Sequence, residues 1–208
     1  MRIITGSARG IALTTLEGET TRPTAERAKE ALFSMIQFDI EGRRALDLFG
    51  GSGQLGLEAL SRGAASCVFC DTSREAVSVI IENSKRAKLF DKCRISASDY
   101  AAALRGMSER EQFDLIFLDP PYESGFLPEA LRMIAHGNIL SPGGRIVCES
   151  DNGTLPTARK KLLKDPEYNR AMVLEQVFGG DSELADAFSV IKSSLYGRIR
   201  ITLLESEK

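Results

Sequence analysis

The sequence predicts an α/β fold in which a mostly parallel sheet carries helices on both faces. Short apolar runs alternate along the chain with segments whose apolar residues recur at the helical period of about 3.6 residues. The chain has 208 residues and a hydrophobic content of 43%, which is enough for one ordinary domain. We therefore expect an N-terminal extension with its helix over residues 1–40, followed by a single larger domain over residues 41–208.

The apolar runs and the helical periodicity locate the individual elements. Five apolar runs are typical of buried strands and lie at 44–49, 66–70, 94–97, 113–118 and 144–149. Two further runs, 188–194 and 198–204, predict a hairpin turned at Tyr196 and Gly197. Helical periodicity predicts helices at 25–38, with Thr24 as the cap, at 55–62, around 77–81, and at 127–135, 156–164 and 171–178. The expected sheet thus has seven strands.

The overall charge does not point to a polyanionic partner. The formal net charge is only −2, so a nucleic acid would have to meet a local basic patch. The first thirty residues offer such a patch, formed by Arg2, Arg9, Arg22, Arg27 and Lys29. The sequence has neither a run of about 18 apolar residues nor a signal-peptide core, which predicts a cytoplasmic location.

The cysteines and the histidine give no sign of a metal site. Cys67 and Cys70 are three positions apart on a predicted strand, so they should face opposite sides of the sheet. We expect all four cysteines to be reduced packing residues. His136, the single histidine, lies in a predicted helix away from the motifs described below. The sequence therefore predicts that no metal is bound.

Acidic residues and glycines follow four successive predicted strands. Asp47 and the turn Gly50–Gly53 follow the first strand, and Asp71, Asp99 and Asp119 follow the next three. The carboxyl ends of parallel strands meet at one edge, where open α/β sheets bind their ligands. Asp71 could accept hydrogen bonds from ribose hydroxyls and Asp99 from an adenine amine, while glycines permit close approach of the backbone. The pattern predicts a pocket for an adenosine-containing cofactor.

Asp47, before the glycine turn, favours one of two classes of cofactor. Dinucleotide-binding proteins place an acid after the second strand as well, and their loop has the spacing Gly-x-Gly-x-x-Gly. Gly51, Gly53 and Gly56 have this spacing, so the loop by itself does not separate the two classes. However, Asp47 would repel a pyrophosphate but not a sulfonium. An NAD-dependent dehydrogenase is therefore the poorer interpretation.

The tetrapeptide Asp119-Pro120-Pro121-Tyr122 fits one chemical task, the methylation of an exocyclic amine on a nucleic-acid base. The Asp oxygen can accept one N–H of the amine, and a backbone carbonyl held by consecutive prolines can accept the other. The ring of Tyr122 can stack on a base that has left its strand. The structural alternative is a strand followed by a proline-rich turn.

Three segments together resemble a known family. They are residues 1–10 with 22–33, residues 46–64, and residues 113–122. In these segments the chain resembles the S-adenosylmethionine-dependent amino-methyltransferases, and more specifically the bacterial family that methylates guanine N2 in the 16S ribosomal RNA of the small subunit. The resemblance implies a Rossmann-like class I methyltransferase fold with S-adenosylmethionine as cofactor. It also implies 16S rRNA as the partner. The low net charge favours an assembling 30S subunit as the form of that partner, and we expect the enzyme to be a monomer, although the sequence does not fix its oligomeric state.

The resemblance assigns roles to individual residues. Asp119, Pro120, Pro121 and Tyr122 would hold the guanine amine for direct methyl transfer without a covalent intermediate. Arg22, Thr24 and Arg27 would touch RNA phosphates, although a solvated helix face is the ordinary interpretation of such residues. The cofactor pocket would be formed by Asp47, Phe49, Gly50, Gly51, Gly53, Asp71, Thr72, Asp99, Tyr100 and Asp119.

Two alternatives remain open at the level of sequence. A DNA adenine or cytosine methyltransferase would use the same tetrapeptide, but a chain of 208 residues leaves little room for a base-reading domain. A binding module could also have kept the fold and lost the activity. The chain departs from the family at Gly50-Gly51, where Ala-Gly is more usual, and in the longer, more helical segment 152–190.

Overall fold

The computed structural model describes residues 1–16, 23–121, 124–151 and 165–206. The strands are β1 (Arg44–Asp47), β2 (Ser66–Asp71), β3 (Cys93–Ala97), β4 (Phe113–Leu118), β5 (Leu140–Asp151), β6 (Phe188–Tyr196) and β7 (Ile199–Ser206). The helices are α1 (Pro23–Met35), α2 (Gln54–Ser61), α3 (Arg74–Arg86), α4 (Tyr100–Met107), α5 (Phe126–His136), α6 (Pro166–Phe178) and α7 (Ser182–Ala185). Within these described ranges, none of the helices has both the length and the apolar character needed to cross a bilayer.

The strands form one seven-stranded sheet in the order β3-β2-β1-β4-β5-β7-β6. Strands β1 to β5 run parallel, and β7 is inserted antiparallel between β5 and β6. In the centre, Asp47 pairs with Phe69 of β2 and Phe117 of β4, so the carboxyl ends of these strands lie level. The prediction of a mostly parallel, seven-stranded sheet is confirmed.

The predicted boundaries differ from the structure at several elements. Helix α1 covers 23–35, whereas the sequence predicted 25–38. Strand β5 begins at Leu140, because a register shift in its pairing with β4 absorbs the Pro-Gly-Gly turn that was expected to precede the strand. Helix α4 was not predicted, since few of its residues are buried. The helix predicted at 156–164 falls outside the described residues.

Two apolar cores cover the two faces of the sheet. One core packs α1, α2 and α3 against the sheet, and the other packs α4, α5, α6 and α7 against the opposite face. Cys67 belongs to the first core and Cys70 to the second, as their spacing predicted. Burial raises the pKa of the Cys70 thiol to about 12, so this thiol stays protonated at neutral pH.

A buried carboxylate attaches the N-terminal segment to the domain. Glu58 of α2 has no exposed surface, and its oxygens accept the backbone N–H groups of Ile4 at 2.7 Å and Thr5 at 3.0 Å. The same carboxylate pairs with Arg62 at 2.8 Å and with Lys29 of α1 at 3.2 Å. These contacts hold the extension and α1 on the helix that follows the glycine turn.

The Glu58 contacts remove Lys29 from the predicted basic patch. Its side chain is 3% exposed, and its ammonium also donates to the carbonyl oxygen of Arg2 at 3.1 Å. Desolvation lowers the pKa of Lys29, while the Glu58 carboxylate opposes this shift by stabilising the charged form. Arg2 pairs with Glu26 at the surface. Of the described candidates, Arg2, Arg9 and Arg27 are exposed.

We expect Glu58→Ala to destabilise the fold by about 3–5 kcal/mol, because the substitution leaves Lys29 charged and unpaired in the interior. Urea-induced unfolding followed by circular dichroism measures the loss. Glu82→Ala is the matched control, since Glu82 forms an exposed pair with Arg86, and it should cost less than about 1 kcal/mol. The double variant Glu58→Ala with Lys29→Met should be more stable than Glu58→Ala alone. Equal losses for Glu58→Ala and Glu82→Ala would contradict this account.

Candidate active site

The candidate site lies at the carboxyl edge of the parallel strands. Asp47 and Asp71 are the last residues of β1 and β2, and Asp119 follows β4 directly. Asp99 lies two residues beyond β3, at the start of α4. Because β1 pairs in parallel with both β2 and β4, and β2 pairs with β3, the four acidic residues share one edge of the sheet.

Backbone hydrogen bonds fix the glycine turn to the neighbouring strand. The N–H of Gly50 donates to the carbonyl of Cys70 at 2.9 Å, and the N–H of Gly51 donates to Oδ2 of Asp71 at 2.9 Å. Gly53 precedes α2 with φ of 77°, a conformation that favours glycine. The turn is therefore held against the end of β2 before any ligand binds.

Asp47 binds the first turn of α2 from the interior of the protein. Its side chain is 1% exposed, and Oδ2 accepts the N–H of Gly56 at 2.9 Å. A carboxylate near a helix N-terminus is favoured by the partial positive charge there. Asp47 thus lies on the interior side of the glycine turn and stabilises the helix that follows this turn.

Asp71 and Asp99 both accept hydrogen bonds from backbone N–H groups. Oδ1 of Asp71 accepts the N–H of Ser73 at 2.8 Å, while Oδ2 binds Gly51 as described above. Asp99 is exposed and caps α4 by accepting the N–H of Ala102 at 2.8 Å. A carboxylate has about four acceptor sites, so each group retains capacity for a ligand. Thr72, next to Asp71, is exposed.

The proline motif begins at the end of β4. Asp119 is half-buried, Pro120 is buried and Pro121 is exposed. The carbonyl of Pro121 accepts the N–H of Ser124 at 3.3 Å, which ties Pro121 to the residues that lead into α5. Tyr122 lies outside the described residues.

The helix predicted to meet RNA packs mainly against β7 and β6 and reaches towards β4. The ring of Phe33 in α1 lies 5.8 Å from the ring of Phe117 in β4, the strand that Asp119 follows. Arg27 is exposed on this helix, and Thr24 lies in its first turn. Arg22 falls outside the described residues.

Sequence reasoning missed Asn83, which joins the extension to the glycine turn. This buried amide accepts the N–H of Thr14 at 2.8 Å and donates to the carbonyls of Thr14 and Ser52, both at 2.9 Å. A signal existed, because Asn83 occupies an apolar position of the helical period with Ala76 and Ile80. A polar residue at such a position requires a buried partner.

Sequence reasoning also missed Phe126, the third member of an aromatic cluster at the edge. Its ring centroid lies 4.9 Å from Tyr100 and 6.4 Å from Phe49, and Phe49 lies 5.5 Å from Tyr100. Burial raises the pKa of the Tyr100 phenol, and the carboxylates of Glu129 and Asp99 raise it further. The cluster joins the glycine turn to the starts of α4 and α5.

Known proteins resemble this chain over most of its length. The solved structure "Putative methyltransferase yhhF from Escherichia coli" has a TM-score of 0.75 and 26% identity, over 100% of this chain and 98% of that one. "Putative rRNA methyltransferase YlbH" of Bacillus subtilis is 41% identical over 73% of this chain and 83% of its own length. "Ribosomal RNA small subunit methyltransferase D" of Haemophilus influenzae is 32% identical over 86% and 89%, respectively.

The fold is that of the Rossmann-like class I methyltransferases, as the strand order and the structural neighbour together show. The family described as "Conserved hypothetical protein 95" matches residues 1–175. The chain belongs to this family, together with the relatives called ribosomal RNA small subunit methyltransferase D. The family predicted from the three sequence segments is thereby confirmed.

We expect Gly56→Ala to disturb the site, because an added Cβ would lie 2.3 Å from the ring of Phe69 and 2.7 Å from the sulfur of Cys67. Overpacking of this kind should cost about 1–3 kcal/mol in urea-induced unfolding. Gly106→Ala is the matched control in a helix, since no heavy atom lies within 4 Å of its added Cβ. That variant should gain up to about 1 kcal/mol. A Gly56→Ala variant as stable as the wild type would show that the α2 contact with β2 is loose.

Proposed function

We propose that this protein is an S-adenosylmethionine-dependent methyltransferase that modifies the exocyclic N2 amine of a guanine in small-subunit ribosomal RNA. One observation carries the proposal: Asp71 and the glycine turn lie on the same edge of the sheet as the motif that begins at Asp119. The residues that we assign to adenosine binding and to amine binding are thus neighbours. The family relatives named as rRNA methyltransferases support the same reaction and the same class of substrate.

The residues of the edge fit this cofactor. Asp71 would bind the ribose hydroxyls, Asp99 and Tyr100 the adenine, and Gly50, Gly51 and Gly53 would lie along the methionine portion with Phe49 and Thr72 beside them. Gln54, the first residue of α2, has a buried Oε1 without a hydrogen-bond partner in the described part of the chain. An acceptor of this kind suits the ammonium of an amino acid. The cofactor would supply an electrophilic methyl group carried on a sulfonium.

Asp119 and the prolines would position the amine. The carboxylate of Asp119 would accept one N–H, the carbonyl of Pro120 would accept the other, and Tyr122 would stack on the base. With both N–H groups held, the nitrogen lone pair is directed at the methyl group for in-line transfer. Asp119 need not be a strong base, because the amine becomes acidic as the new bond forms and its proton leaves afterwards.

The RNA would approach along α1. Arg27 is exposed on this helix, whose Phe33 ring lies beside Phe117 in the strand that Asp119 follows, and Arg22 and Thr24 belong to the same segment of sequence. Because the net charge of the protein is only −2, we propose an assembled or assembling subunit as the substrate. Naked RNA generally requires a broader basic face than these residues provide.

Removal of the Asp71 carboxylate should weaken cofactor binding. We expect Asp71→Ala to reduce the affinity for S-adenosylhomocysteine roughly 10- to 100-fold in calorimetry, which corresponds to the loss of about 1.5–3 kcal/mol in charged hydrogen bonds. Asp91→Ala is the matched control, since Asp91 is exposed in the turn that precedes β3. Unchanged affinity in Asp71→Ala would remove Asp71 from the pocket.

The catalytic motif can be tested by transfer of radiolabelled methyl to small ribosomal subunits that lack the modification. The wild type should label N2-methylguanosine, and Asp119→Asn should lower the rate on the order of 100-fold, because the amine loses its orientation. Asp91→Asn is the matched control and should leave the rate unchanged.

The same assay tests the state of the substrate. Methylation of protein-free RNA at the same rate as of assembled subunits would contradict the proposed substrate state. Label on DNA adenine or cytosine would instead support the DNA methyltransferase alternative.

A further inference from the structure

Phe126 connects the proline motif to both parts of the candidate cofactor pocket. It is the first residue of α5 and lies seven positions beyond Asp119. Its ring contacts Tyr100, which follows Asp99, and is parallel to the ring of Phe49, which precedes Gly50, with 3° between the planes. Phe126 is 37% exposed at this edge.

Local hydrogen bonds tie Phe126 closely to the end of the motif. The N–H of Phe126 donates to the hydroxyl of Ser124 at 3.3 Å, and the N–H of Ser124 donates to the carbonyl of Pro121 at 3.3 Å. Gly125 adopts φ of 70°, which turns the chain into α5. Two consecutive hydrogen bonds therefore link Phe126 to Pro121, so a shift of Phe126 affects the position of Pro121.

We propose that Phe126 is a positioning residue that couples occupation of the cofactor pocket to the placement of the Asp119–Pro121 motif for the target purine. This inference rests on the proposed function. Two of the three rings in the cluster flank groups assigned to the cofactor, so a bound cofactor restrains Phe49 and Tyr100. Phe126 packs against both rings, so a restraint on these rings also limits the movement of Phe126. This residue begins α5, a short distance beyond the motif. The cofactor pocket and the motif would both affect the position of Phe126. A shared element of this kind is the physical requirement for coupling between two sites.

The coupling predicts a specific pattern of hydrogen exchange. In the wild type, saturating S-adenosylhomocysteine should slow exchange about tenfold at Gly50–Gly53 and at the Ser124 amide. In Phe126→Ala the slowing at Gly50–Gly53 should persist, while the slowing at Ser124 should fall below about twofold. The Ser124 amide is informative because it is hydrogen-bonded to the carbonyl of Pro121 in the motif.

Kinetics with small subunits provide the second readout. Phe126→Ala should lower kcat about tenfold and leave KM for S-adenosylmethionine within about threefold, since positioning is lost and cofactor contacts are kept. Phe126→Tyr retains a ring and should restore kcat to within about twofold of the wild type. Phe90→Ala is the matched control, because Phe90 is 40% exposed in the turn before β3, and it should leave both readouts unchanged.

Each outcome bears on the coupling directly. Wild-type protection of Ser124 in Phe126→Ala would overturn the proposal. A loss of affinity for S-adenosylhomocysteine as large as that expected for Asp71→Ala would also overturn it, because Phe126 would then be a cofactor contact. If the wild type itself bound no S-adenosylhomocysteine, the proposed function would fail at that step, before any Phe126 variant is compared.

Discussion

The buried carboxylate of Glu58 is the interaction on which the arrangement of the candidate site depends. It is fully enclosed, and two backbone N–H groups, Lys29 and Arg62 surround it. A buried charge is tolerated only when it is paired and hydrogen-bonded, so this site requires all of its partners. Through them, the N-terminal segment and α1 are fixed to α2, the helix that starts at the glycine turn.

The glycine turn is held from several sides by residues distant in sequence. Cys70 and Asp71 bind it from β2, Asn83 binds it from α3, and Asp47 holds the helix that follows. Such a turn loses little conformational freedom when a ligand binds, which favours affinity. Asn83 bonds to Thr14 as well, so the placement of the extension and the shape of the turn are set together.

Most of the sheet could be predicted from local pattern, because buried parallel strands are short apolar runs that end in turns. Strand β4 was predicted with the bounds it has in the structure, 113–118. The start of β5 was wrong, because a bulge lets a strand continue through Pro142 to Gly144. Helix α4 was missed because it is short and rich in alanine. Only Leu104 and Met107 are buried, so the sequence shows little helical periodicity of apolar residues here.

The sequence by itself determined the family, the succession of the strands along the chain, and the acid that ends or follows each of the first four strands. These features are local patterns of residue type along the chain. Only the tertiary structure decided that Lys29 is an interior partner of Glu58, that Asn83 bonds to the glycine turn and that Phe126 packs against Tyr100. The physical reason is that burial and pairing depend on residues far away in sequence, as in the bond between Ile4 and Glu58, which are 54 positions apart.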